Sequence, residues 1–195
     1  MDSLEFRTGP FEFPLPGFTE NSKGRFKHSL FCPPPALSWR AVDLPSQLLA
    51  KPDALLLDLV ATSREGALCG LHAQLARSPA VKDAPTFLHA LLERAMLAPI
   101  CIATDVALPH ARTVAVERVV LGVARIALPG VGFDAEHPAV RLVFMVGTPQ
   151  QQVEDYLLSV AAITRLLKTE GVRAGLLAAK TEAEFTALLA RGAKR

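Results

Sequence analysis

The chain has 195 residues, of which 50% are hydrophobic and 21% charged, so it is long enough for one ordinary domain with a sizeable core plus an extension. Its formal net charge of +2 is spread without a dense basic block, which excludes a nucleic-acid footprint. No apolar run is long enough to span a bilayer and the N-terminus lacks a signal-peptide pattern, so a cytoplasmic protein is expected.

Residues 1–40 read differently from the rest. Pro10, Pro14, Pro16 and the triplet Pro33, Pro34, Pro35 punctuate a segment holding six of the ten phenylalanines: Phe6, Phe11, Phe13, Phe18, Phe26 and Phe31. No period emerges, and the prolines exclude regular structure. The segment reads either as an extended arm docked on the domain or on a neighbouring copy, or as a disordered leader. The domain proper is expected over residues 41–195.

From Leu55 the pattern becomes regular. Leu55 to Val60 reads as a short buried strand; Thr62, Ser63 and Glu65 carry a capping-box signature for a helix to about Arg77. Pro85 opens a second helix through Met96, with Phe87, Leu88, Leu91, Leu92 and Ala95 on its apolar face and Arg94 near its C-terminus. Three apolar runs then supply a sheet: Ile100 to Ala107, Val119 to Ile126, and Val140 to Val146. Arg118, Gly122 and Arg125 interrupt the second, which suits a strand with one face partly open, whereas the nearly continuous third suits a central strand. Thr148, Pro149 and Gln151 signal the start of a long helix to Lys168, and Thr181 with Glu184 caps a terminal one. Strands mixed with single helices indicate an α/β fold, a mixed β-sheet flanked by helices.

The chemistry-bearing stretch is Asp105, Val106, Ala107, Leu108, Pro109, His110, Ala111, Arg112. Proline cannot donate to a ladder, so the strand should stop near Leu108 and turn His110 out at the end of the sheet. An imidazole nitrogen there is a nucleophile near neutral pH, and Arg112 supplies a planar cation suited to a phosphoryl group. A partly solvated loop histidine is the alternative. His72 and His89 fall within helices as surface or edge residues, and His137 lies in the loop before the third strand. Cys32, Cys69 and Cys101 show no Cys-x-x-Cys pair, and no carboxylate stands at a recognised ligand spacing from the histidines, so neither disulfides nor a metal nor any cofactor is expected. Cys69 and Cys101 read as small buried hydrophobes rather than nucleophiles. Gly130 and Gly132 flank a turn without completing a nucleotide-binding loop.

The run ending in Pro109 and His110 resembles the active-site segment of the enzyme IIA domains of the bacterial phosphoenolpyruvate-dependent sugar phosphotransferase system, in their fructose, mannitol and nitrogen-regulatory branch. The resemblance covers roughly Ala41 to Leu189. Leu91, Leu92, Glu93 and Arg94 resemble the family's helix end, sixteen positions before His110. Phe133 and Asp134, then Pro138 and Val140 to Phe144, resemble its aromatic-Asp loop and following strand. The resemblance implies an enzyme IIA-type fold and a phosphotransferase chemistry: His110 accepts a phosphoryl group from the phosphohistidine of an HPr-like carrier and passes it to a IIB partner or uses it as a regulatory signal. It implies Arg94 as a stabiliser of the site, with Arg112 as a local candidate beside it. A second copy of the chain is a further candidate partner.

Departures from the family pattern shape that expectation. Ala98 to Asp105 replaces a glycine-rich stretch, and Ala95 stands where the family has a glutamate. The family's second histidine aligns with Asp155, or with Tyr156 under a one-residue shift. An aspartate there would raise the pKa of His110 and repel a phosphoryl dianion. The alternative reading is therefore a regulatory or degenerate IIA-like module that binds proteins without efficient phosphotransfer. A small-ligand-binding α/β domain is the third.

Overall fold

The computed structural model describes residues 39–192. The arm or leader expected upstream lies outside the described residues, apart from Trp39 and Arg40, which open the first helix. That helix, α1 (Trp39–Ala50), was not signalled by the sequence pattern and carries Pro45 inside it. It buries Leu48 and Leu49.

Six strands form one mixed sheet: β1 (Ala54–Leu59), β2 (Cys101–Ala103), β3 (Val106–Ala107), β4 (His110–Thr113), β5 (Val120–Ile126) and β6 (Leu142–Pro149). Their order is β1-β5-β6-β3-β2, with β4 also on β6. Pairing is parallel for β1 with β5, antiparallel for β5 with β6, and parallel for β3 and β4 with β6. Every residue of β6 is buried, as its continuous apolar run required of a central strand. The helices α2 (Arg64–Leu75) and α3 (Ala84–Leu97) share one core with Ala107, Ala111, Val120, Ala124, Val143 and Met145. On the other face α1, α4 (Val153–Lys168), α5 (Glu170–Ala178) and α6 (Glu182–Gly192) pack with Val106, Leu108, Leu121, Val123, Leu142, Phe144 and Val146. The alternation of these residues along β5 and β6 is the two-residue period of a strand covered on both sides.

Local chemistry sets the helix starts. Ser63, not Thr62, caps α2, accepting from the Gly66 amide at 3.0 Å. Asp83 caps α3, accepting from the Thr86 amide at 3.0 Å and its hydroxyl at 2.7 Å, with Pro85 in the first turn. The Glu184 amide donates to Thr181 Oγ1 at 3.2 Å at the head of α6. The expected cap at Thr148 is not formed: Thr148 lies in β6 opposite Arg112, so the ladder holds it, and α4 begins at Val153 after Gln152, which makes no side-chain cap.

Five strand and side-chain expectations are corrected. Ile100 to Ala107 is not one strand but the antiparallel hairpin β2–β3, turning at Thr104 and Asp105. β1 is an edge strand only partly buried, because β5 covers one side of it alone. β5 has no open face; α2 lies over Gly122, and Arg125 is buried with its charge paired to Asp58 at 2.9 Å. His72 is 7% exposed, packed against Phe87 with ring centroids 5.5 Å apart, rather than at the surface. Cys69, by contrast, is exposed, and Cys101 half-buried.

Candidate functional site

Strands β3 and β4 lie along β6 in one continuous register: Val106 and Ala107 pair with Leu142 and Val143, and His110 to Thr113 pair with Val146 to Pro149. Leu108 and Pro109 interrupt this line. Proline removes the donor that a ladder would use, yet its carbonyl still accepts from the Val146 amide at 2.9 Å, while the Leu108 amide turns away to Ile100 O at 2.7 Å. His110 is therefore not turned out at the end of the sheet but resumes the strand. Strand alternation then puts His110 and Arg112 on one face and buries Ala111 and Thr113 on the other.

The interruption also exposes the Leu108 carbonyl to the ring it precedes. His110 Nδ1 lies 2.7 Å from Leu108 O. A carbonyl oxygen only accepts, so Nδ1 carries the proton and Nε2 keeps its lone pair. Burial lowers the His110 pKa from the ordinary 6.5; the hydrogen bond to Leu108 opposes this, and the charge of Arg94 adds to the lowering. Burial therefore favours the neutral ring, whose Nε2 lone pair is a nucleophile.

Arg94 reaches this ring electrostatically from the last turn of α3, half-buried. Tyr156, in the first turn of α4, lies against His110 with ring centroids 5.6 Å apart and planes tilted by 47°. The exposed Arg112 places its guanidinium carbon 5.6 Å from the centroid of the same tyrosine ring, within cation–π range. Of the two residues aligned with the family's second histidine, Tyr156 is the one whose ring meets His110. Asp155 precedes it, half-buried, and the shift of His110 runs downward, opposite to what an adjacent carboxylate would produce.

The arrangement brings together His110, Arg94, Arg112 and Tyr156 from β4, α3 and α4. It leaves out His89, exposed beside Glu93 at 3.4 Å, and His137, whose Nδ1 is 2.7 Å from Asp134 Oδ1. Sequence reasoning missed Arg64, which donates to Ala95 O at 3.3 Å, one residue past Arg94, and to Phe133 O at 3.4 Å. Nothing local signals it, since its partners are 31 and 69 positions away. It also missed the meeting of Asp134 and His137 with Cys101: one donor atom from each lies within 4.8 Å of the others. Burial, with Asp134 nearby, pushes the Cys101 thiol up to about 11, so it is no free nucleophile. Around the site, Met96 and Leu97 at the end of α3 and Val153 and Leu157 beside Tyr156 are exposed apolar side chains.

A family model described as "Phosphoenolpyruvate-dependent sugar phosphotransferase system, EIIA 2" matches residues 48–192. Among similar proteins, the "PTS system fructose-specific EIIA component" of Haloferax volcanii is 35% identical over 130 residues, 66% of this chain and 83% of that protein. The "Nitrogen regulatory protein" of Bradyrhizobium diazoefficiens is 28% identical over 148 residues, 75% of this chain and 95% of that protein. Among solved structures, the nitrogen regulatory protein IIA-Ntr of Neisseria meningitidis superposes with a TM-score of 0.66 at 20% identity, covering 75% of this chain and 99% of that one. The Escherichia coli complex of enzyme IIA mannitol with phosphorylated enzyme IIB mannitol gives 0.61 at 23%, covering 72% and 96%. At these identities the structural likeness concerns the fold.

Proposed function

The chain belongs to the EIIA 2 family of the phosphoenolpyruvate-dependent sugar phosphotransferase system, and from that premise we propose that it is a phosphocarrier in which His110 takes a phosphoryl group on Nε2. The observation that carries the reading is the 2.7 Å contact of His110 Nδ1 with Leu108 O, which leaves Nε2 as the free nucleophile in a ring kept neutral. The donor is the phosphohistidine of an HPr-like protein. The Nε2 lone pair forms the new N–P bond as the donor's N–P bond breaks, and that electron pair returns to the donor imidazole. Such a transfer depends on alignment and on offsetting the charge of the phosphoryl oxygens. Arg94 and Arg112 supply cations from two sides, and the Tyr156 hydroxyl supplies a donor that needs no protonation change. The acceptor of the next step is a IIB domain or a regulatory target. Met96, Leu97, Val153 and Leu157 give protein partners an apolar rim on the two helices that hold Arg94 and Tyr156.

A regulatory role for the same phosphorylation is the second reading, favoured by the match to a protein named for nitrogen regulation over 95% of its length. The test is incubation with phosphoenolpyruvate, enzyme I and HPr, followed by intact-mass measurement. The parent should gain one acid-labile phosphoryl group, and His110→Ala none, while His89→Ala gains it as the parent does. Labelling of His110→Ala to the parent's level would overturn the assignment.

A further inference from the structure

We propose that Cys101, Asp134 and His137 form a binding site for a divalent cation of the zinc class. One donor atom from each lies within 4.8 Å of the others, and His137 Nδ1 is 2.7 Å from Asp134 Oδ1. The three residues come from two segments that the fold brings together, β2 and the connection between β5 and β6. That connection is braced independently of any ion. Val131 and Val140 exchange amide–carbonyl bonds at 3.0 and 2.8 Å, and Asp134 Oδ1 accepts from the amides of Glu136 and His137 at 3.0 and 2.9 Å. The Asp134 carboxylate is therefore held in place before a ligand arrives, with the His137 imidazole against it and a donor atom of Cys101 within 4.8 Å.

Sulfur, nitrogen and oxygen donors in one cluster are the set that Zn²⁺ takes in tetrahedral sites, with one position left for water. Thiolate and carboxylate together offset the charge of the ion. On binding, the Cys101 sulfur forms a bond to the metal and its proton leaves to solvent, since a coordinating thiol is deprotonated. His137 Nδ1, which donates to Asp134 Oδ1 before binding, releases that proton as Nε2 takes one from solvent, and the freed Nδ1 lone pair meets the ion. The Asp134–His137 contact must open to about 3.3 Å for both to share one tetrahedron, a shift within side-chain freedom. Asp134 is exposed, which gives the ion a path of entry. Arg64, whose charge also acts on Cys101, is a nearby cation that weakens binding relative to a site without it. Arg64 also bonds to Phe133 O, next to Asp134, and to Ala95 O in the last turn of α3.

The test uses the full chain, stripped with chelator and titrated with Co²⁺ as a spectroscopic substitute, then with Zn²⁺ followed by dialysis and elemental analysis. The expected result is one equivalent of metal, a near-ultraviolet thiolate-to-cobalt band and visible bands of tetrahedral intensity. Cys101→Ser and His137→Ala should lose the thiolate band and the bound equivalent, whereas Cys69→Ser should keep both. Absence of the thiolate band in the parent, or an unchanged band in Cys101→Ser with circular dichroism matching the parent, would overturn the proposal. Neither readout depends on phosphorylation of His110.

Discussion

His110 gains its chemistry from the two residues before it. Pro109 breaks the ladder, Leu108 presents a carbonyl, and the imidazole donates to that carbonyl through Nδ1 at 2.7 Å. The histidine, its proline and the arginines were legible because they are local in sequence or lie at a family spacing. The tautomer was not, because it depends on where one carbonyl points. His72 was misread for a related reason: a helical position does not say which neighbour covers it, and here Phe87 does. If Arg94 and the Tyr156 hydroxyl both bond to the transferring group, Arg94→Gln and Tyr156→Phe should each slow phosphorylation by about ten- to a hundredfold, the worth of one hydrogen bond to a charged group. Arg112→Gln should slow it less, since its guanidinium is exposed. Rapid-quench measurement of label transfer from phospho-HPr checks the order; equal rates for all three variants and the parent would contradict it.

Burial lowers the pKa of both His72 and His110 below the ordinary 6.5. The folded state therefore binds fewer protons than the unfolded one as the pH drops. The stability these groups contribute is present above about pH 6.5 and is lost as the pH falls through their lowered values. Urea midpoints should decline between about pH 7.5 and 5, and His72→Leu should flatten that decline by removing one of the two groups. A slope unchanged by the substitution would show that His72 is not responsible.

Among the elements, the tightest fit to the site is the crossing of α3 over β6 at Gly147, which pairs with Ala111 directly after His110. A Cβ at Gly147 would sit 2.6 Å from Phe87 Cζ, 2.7 Å from Phe87 Cε2 and 2.9 Å from Val120 Cγ2. Phe87 is fully buried and has no room to yield. Gly147→Ala should therefore destabilise the domain by about 1–3 kcal/mol, the usual consequence of overpacking a dense core. Chemical denaturation measures this; a variant as stable as the parent would mean that α3 stands farther from the sheet. Helix starts at Ser63 and Thr181 were legible because each cap is a contact within three residues. The split of Ile100 to Ala107 into a hairpin was not. A run of apolar residues without a glycine or proline looks like one strand, and only the pairing of β3 with β6 shows where the chain has turned.

Across the whole molecule, the α/β class followed from periodicities that alternate along the chain, whereas strand order depends on contacts between residues far apart. Arg125 illustrates the second kind. As a charge inside an apolar run it suggested an open strand face; instead it is 6% exposed and ties the sheet edge to the C-terminal helices. A bulge in β1 between Leu56 and Leu59 puts Asp58 at φ 57°, where its carboxylate meets the guanidinium at 2.9 and 3.1 Å. The same guanidinium bonds to the carbonyls of Leu176 and Leu177 at 3.4 Å, and to that of Ala179, at the end of α5. Arg125→Met should cost about 1–3 kcal/mol through those carbonyls left without a donor. Asp58→Ala leaves a buried cation held by carbonyls alone and should also destabilise. Denaturation midpoints equal to the parent's for both variants would show that this junction bears no part of the stability.

At the centre of the account is one atom, Nε2 of His110. The protein, with its histidines labelled with nitrogen-15, is phosphorylated through phosphoenolpyruvate, enzyme I and HPr and examined by nuclear magnetic resonance for the nitrogen coupled to phosphorus. Coupling at Nε2 of one imidazole, lost in His110→Ala, is the predicted result; coupling at Nδ1, or on any other histidine, would contradict it.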